Sequence, residues 1–106
     1  MTDKFYTHAL WRVKPGQQEE FVEAWTALGQ IFAKLPGSRQ GTLIQSISDA
    51  TLFYSFGPWS SLEAIEAMRG DSDAQKGIQR LRELCDEAVP GSYRVVGKST
   101  LSAPAM

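Results

Sequence analysis

Phe5-Tyr6-Thr7-His8-Ala9-Leu10-Trp11-Arg12-Val13-Lys14-Pro15-Gly16 is the stretch that decides the fold. It is rich in the aromatic and β-branched residues that suit a pleated, half-buried surface. Side chains alternate along a strand, so Phe5, Thr7, Ala9, Trp11 and Val13 share one face, and that face is expected to be buried. Tyr6, His8, Leu10 and Arg12 form the other face, which is mixed and half apolar, and such a face implies a second covering surface. Pro15-Gly16 stops the strand.

Beyond it, Phe21, Trp25, Leu28, Phe32 and Leu35 recur at helical spacing, with glutamates near the start and Lys34 near the end. This predicts a helix of roughly eighteen residues, broken by Pro36-Gly37. Gly41 to Ser48 and Thr51 to Phe56 read as a hairpin turning around Asp49, with Leu43 and Ile47 on one face and Ile44 on the other. Gly57-Pro58 is expected to end the ladder, because proline has no amide proton to donate. Ser60 with Glu63 reads as a capping box opening a second helix. That helix pauses at Gly70-Asp71, then carries Ile78, Leu81, Leu84, Cys85 and Ala88 up to Val89-Pro90-Gly91. Tyr93 to Leu101 reads as a final strand, followed by a loose tail over 102–106.

The order βαββαβ predicts an α+β, ferredoxin-like fold: a four-stranded antiparallel sheet with the helices on one face, formed by a single domain over 1–101. Eleven basic residues are scattered among twelve acidic ones for a formal net charge of −1, which leaves no footprint for nucleic acid. Cys85, the only cysteine, has no partner for an internal disulfide or a thiolate cluster. A reducing, cytoplasmic location is expected. Charged residues interrupt the first fourteen positions, so no signal peptide or membrane span is expected there. Asp71, Asp73, Asp86 and Glu87 follow no calcium-loop pattern, and no metal site is expected.

Trp11-Arg12-Val13-Lys14-Pro15-Gly16, Glu20-Phe21, Leu35-Pro36-Gly37 and Trp59-Ser60-Ser61-Leu62-Glu63-Ala64, in that order, resemble the antibiotic-biosynthesis monooxygenase family over about residues 5 to 100. The resemblance implies a homodimer, in which the bare sheet faces pair into a dimeric α+β barrel. It also implies a pocket for a small aromatic metabolite between the sheet and its own helices, on the face that bears Ala9, Trp11 and Trp59. The activity it implies is oxygenation without metal or organic cofactor: a phenol or enol loses a proton and its anion reacts with dioxygen. Such a site needs a base or acceptor, a dry pocket and groups that stabilise the anion.

His8 is the one side chain whose ordinary pKa, about 6.5, suits a general base at neutral pH. Strand parity puts it opposite Ala9 and Trp11, which favours a structural role at the subunit interface. Trp59 matches the family's pocket tryptophan, and Gly57-Pro58 before it is expected to bulge and aim its ring inward; it also reads as a core residue at a strand-to-helix junction. Tyr54, Tyr6, Arg12 and Gln45 can each donate to an oxyanion, although Tyr6 and Arg12 read more readily as surface or interface groups and Gln45 as a solvated or cross-strand hydrogen-bonding group. Trp11, Ala9, Phe32 and Gln79 complete the candidate substrate-binding set. Cys85, on an apolar stripe with Ile78 and Leu81, reads as a packed thiol.

The heme-degrading branch uses an asparagine on the first strand, the tryptophan and a histidine on the second helix. The corresponding positions are Ala9, Trp59 and about Gln79, so the axial ligand is missing. The quinol-oxidising branch carries histidines on the second helix, and 62–84 contains none. A cofactor-independent monooxygenase of a hydroxylated aromatic, quinol or polyketide-like compound is the leading expectation. A cofactor-free isomerase of an enol or lactone and a non-catalytic binding protein stay open beside it.

Overall fold

The computed structural model describes residues 4–99. Its elements run β1 Phe5–Val13, α1 Gln18–Phe32, β2 Thr42–Gln45, β3 Leu52–Trp59, α2 Leu62–Gly70, α3 Ser72–Glu83 and β4 Cys85–Arg94. The sheet is antiparallel in the order β2-β3-β1-β4, with the helices on one face. The expected α+β, ferredoxin-like sheet is therefore the one that forms. No helix among the described residues is long and apolar enough to cross a membrane.

Alternation along β1 works as its composition requires. Ala9, Trp11 and Val13 are buried against the helices, where they join Phe21 and Leu28 of α1, Phe53 of β3 and Leu81 of α3 in the main core. Trp59, Ile65, Met68 and Ala74 form a second cluster beside it. Phe21, Ile65, Leu81 and Val13 are the largest fully enclosed side chains. α1 has 15 residues rather than about eighteen. The chain to Leu35 goes on in tighter turns, with the Lys34 and Leu35 amides bonding the Ile31 and Phe32 carbonyls, so Leu35 still packs on the second cluster.

Several boundaries depart from the sequence reading. β3 does not end at Phe56: it pairs with β1 through Gly57 and Pro58 to Trp59, in unbroken register and without the expected bulge. The Ser60 amide donates to the Gly37 carbonyl, away from β1. By the two-residue period, the Pro58 nitrogen faces that same side, beyond the end of β2, where no ladder hydrogen bond is required of it.

The final strand is likewise Cys85–Arg94, not Tyr93–Leu101, and the helix before it ends at Glu83, so Cys85 and Ala88 are strand residues. The Val95 amide bonds the Lys4 carbonyl, which turns odd-numbered amides of this strand toward β1 and the Pro90 nitrogen toward the open edge. Residues 100 and 101 of the expected strand and the expected tail over 102–106 lie outside the described residues. β2 is shorter than expected, leaving Ile47 exposed in the turn instead of on a strand face with Leu43.

The second helix is divided where Gly70-Asp71 interrupts it, and each half has its own cap. The α2 cap is Ser61, whose hydroxyl accepts from the Ala64 amide, and not Ser60. Asp71 caps α3 through the Ala74 amide. Gly77 lets α3 approach α1: a β-carbon there would lie 2.7 Å from Leu28 Cδ1.

Candidate functional site

The inward face of the central strands presents alternating small and large groups. From β1 come Thr7, Ala9 and Trp11, and from β3 come Ser55, Gly57 and Trp59, in facing register. α1 crosses above them and contributes Trp25, Leu28 and Phe32. Two adjoining cavities result. The larger, of about 480 Å³, lies between α1, β3 and the 38–41 segment, with Trp25, Phe32, Arg39 and Trp59 in its wall. The smaller, of about 190 Å³, opens beside α2, α3 and β4, over Ala9, Trp11, Met68 and Ile78. Thr7, Trp25, Leu28, Phe32 and Ser55 line both, so the cavities share a wall. The larger volume is on the scale of small-molecule sites.

The close approach of the chain around this space depends on glycine. Gly57 faces Gly41, whose α-carbon would sit 3.0 Å from a β-carbon at 57. Gly37 has φ +81°, and its carbonyl holds the Ser60 amide at 2.9 Å. These contacts fix the 38–41 segment as the outer wall of the larger cavity.

Two tryptophans are tied to the shared wall. The Trp11 indole N–H donates to Ser55 Oγ at 2.9 Å, and the Trp59 indole N–H donates to Thr7 Oγ1 at 3.1 Å. Each hydroxyl thus accepts one hydrogen bond, and neither donates its own proton to another described residue. The result is a pair of O–H donors on the cavity wall, their oxygens held in place by indoles. The rings are fixed in turn: Trp59 meets Phe32 edge to face at 5.4 Å, and Trp11 is 5.6 Å from Phe21.

The sequence candidates separate into two groups. Trp59, Trp11, Ala9 and Phe32 come together on the cavity walls. Trp59 also closes the second core cluster, so one ring lies in both the cavity wall and the core. His8 and Tyr54 lie on the other face of the sheet: the His8 ring stands 5.5 Å from the Tyr54 ring and 5.6 Å from the Tyr93 ring, although His8 also contributes to the smaller cavity's wall. Gln79 is exposed on α3 and lines neither cavity.

Arg12 is paired with Asp49 at 2.9 Å and Glu87 at 3.8 Å, and Gln45 bonds the Ala50 carbonyl. Hydrogen bonds from the Thr51 hydroxyl and amide, then from Arg12, hold the Asp49 carboxyl below its usual pKa. These groups serve the β2–β3 turn. Cys85 is buried in the main core, where desolvation, with Asp86 nearby, pushes its thiol up to about 11. A thiol so protonated is a packing group at neutral pH.

Thr7, Ser55 and Trp25 carry weight in the site that the residue types alone did not signal. Thr7 was legible as a polar residue on an otherwise apolar face, but its pairing with an indole fifty-two positions away was not. Among the described residues no carboxylate lines either cavity, and no group of three or more histidine, cysteine, aspartate or glutamate side chains is placed to hold a metal ion.

Known proteins share this architecture. SnoaB, a cofactor-independent oxygenase from Streptomyces nogalater, superposes in two crystal structures with TM-scores of 0.84 and 0.82, at 18% and 19% identity. These alignments cover 92% and 96% of this chain and 97% and 100% of SnoaB. A Nitrosomonas europaea protein assigned to the antibiotic biosynthesis monooxygenases matches at TM-score 0.76 and 18% identity, over 91% of this chain and 94% of its own. At such identities the likeness is one of fold. No curated protein matches in sequence. The family model for antibiotic biosynthesis monooxygenases matches residues 4–81, which takes in the first three strands and most of all three helices. The chain belongs to the antibiotic biosynthesis monooxygenase family.

Proposed function

We propose that the protein is a cofactor-independent monooxygenase acting on a small hydroxylated aromatic or quinol-like compound bound between the sheet and α1. The observation that carries this reading is the aromatic-walled cavity with the Thr7 and Ser55 hydroxyls on its wall, each tied to an indole and each with a proton to give. Trp25, Phe32 and Trp59 supply flat apolar walls for a planar ring. The two hydroxyls donate to the substrate oxygen and strengthen as it becomes an oxyanion, which favours loss of its proton to water at the cavity mouth. The substrate anion then gives electrons to dioxygen. One oxygen atom is retained as a carbonyl at a ring carbon that gives up its one hydrogen, and the other leaves as water with that hydrogen and the proton lost from the hydroxyl, so every electron comes from the substrate. His8, between two tyrosine rings on the opposite face, takes the structural role in this scheme.

Chelator-treated protein should consume oxygen with members of a panel of anthrones, quinols and flavonols, and Thr7→Val and Ser55→Ala should each slow uptake by roughly tenfold, the effect of one lost hydrogen bond to a developing charge. Full uptake in both variants would remove the hydroxyls from the mechanism. Turnover that persists without oxygen would assign an isomerase. The absence of any carboxylate among the described lining residues favours a second reading, a non-catalytic binding protein, which predicts ligand-dependent thermal stabilisation with no turnover.

The same reading includes a homodimer in a reducing cytoplasm. Ile44, Phe56, Val89 and Tyr93 are exposed large side chains that share the outer sheet face with His8, Leu10 and Tyr54, an apolar surface that a second copy would cover. Sedimentation should give twice the chain mass, and Phe56→Glu combined with Val89→Lys should give the monomer. A native chain sedimenting as a monomer at tens of micromolar would reject the dimer.

A further inference from the structure

The smaller cavity differs from the larger in the charge at its mouth. Its floor is apolar, made by Ala9, Trp11, Met68 and Ile78, while its rim carries Arg69 from the end of α2 and Arg82 from α3. The Arg69 guanidinium donates from Nη2 to Ser92 Oγ at 2.6 Å, which anchors it over β4 and leaves its other N–H groups available. The Arg82 guanidinium makes no hydrogen bond or ion pair with any described residue, in contrast to that of Arg80, which is paired with Glu20 and Glu83. Two guanidinium groups therefore face one opening with no carboxylate among the described residues of its lining. Thr7 and Ser55 line both cavities, which brings the opening that bears the arginines next to the aromatic-walled cavity.

We infer that the ligand carries a carboxylate, held between Arg69 and Arg82 at the mouth of the smaller cavity, at the opposite end from its hydroxylated ring. The inference rests on the reading of the larger cavity as the site of a hydroxylated aromatic. A planar carboxylate matches the guanidinium fork, and an apolar floor beneath it lowers the local dielectric and strengthens the pairing. The arginines would then select among substrates and set the direction in which the ring enters.

The test compares 6-hydroxy-2-naphthoic acid with 2-naphthol, which differ by the carboxylate, in titrations of the full chain followed by tryptophan fluorescence. The acid should bind the wild type roughly tenfold more tightly, the return on one charge-assisted pairing at a partly exposed site. That ratio should shrink as salt is raised and fall toward one in the Arg69→Gln, Arg82→Gln double variant. The Arg69→Lys, Arg82→Lys variant should keep part of the preference. Both arginines are exposed, so circular dichroism and melting of the variants serve to confirm folding. Equal binding of both compounds by the wild type, or a preference that survives the glutamine variant, would overturn the carboxylate site alone. Failure of the wild type to bind either compound would overturn it together with the aromatic-site reading on which it rests.

Discussion

Trp59→Ala is expected to abolish oxygen uptake and to cost the fold about 3–5 kcal/mol, the usual range for emptying a buried aromatic site. Trp59 is 2% exposed, packs on Phe32, Ile65 and Met68, and gives its indole N–H to Thr7. Removing it opens a void between the second core cluster and the larger cavity and leaves Thr7 Oγ1 without its donor. A domain of this size has about 5–15 kcal/mol in hand, so the variant should stay folded at low temperature, where loss of activity can be measured on folded protein. Trp59→Phe separates the two roles. It keeps most of the packing and loses only the hydrogen bond, so stability should fall by about 1 kcal/mol while uptake falls further, because Thr7 is free to rotate. Chemical denaturation and oxygen uptake on the same samples check both. A phenylalanine variant with native uptake would show that the indole N–H has no part in the chemistry.

Gly37→Ala should cost about 2–5 kcal/mol, and it should damage the site from outside it. Left-handed backbone costs a residue with a β-carbon about 1–2 kcal/mol, and overpacking adds about 1–3. At Gly37 both apply: φ is +81°, and a β-carbon would run into Ser60 Oγ and come within 2.7 Å of Ala64 Cβ. Gly16 provides the comparison, since its φ is +87° but nothing lies within 4 Å of the β-carbon position. Gly16→Ala should therefore lose only the backbone part, about 1–2 kcal/mol. Movement of 37 also carries the 38–41 segment with it, so ligand affinity should drop in the Gly37 variant and hold in the Gly16 variant. Equal losses of stability at the two positions would mean that the contact with Ser60 and Ala64 relaxes freely.

Much of the site could be read from the chain because it follows from alternation. Once 5–13 is a strand, Ala9 and Trp11 must share a face with Thr7, and the cavity floor is on that face. Trp59 was legible as a pocket residue, but for an incorrect reason: simple two-residue periodicity turns it inward, with no bulge. The partners of the indoles were not legible. Ser55 sits 44 positions from Trp11, and nothing local distinguishes it from any other serine on a strand.

Local chemistry alone determined the order of elements, the break at Gly70-Asp71, the burial of alternate residues in 5–13 and the half-apolar outer face, because period, capping and the backbone limits of proline and glycine act within a few residues. Tertiary structure decided where β3 and β4 end. Pro58 and Pro90 look like stops in sequence, yet both sit inside strands, since each turns its nitrogen to a side where no neighbouring strand needs a donor. Whether a side is open depends on the order β2-β3-β1-β4 and on the shortness of β2, which are properties of the assembled sheet. The same holds for the charge at the mouth of the smaller cavity. Arg69 and Arg82 belong to different helices, and only the packing of α2 and α3 over β4 brings them to one opening.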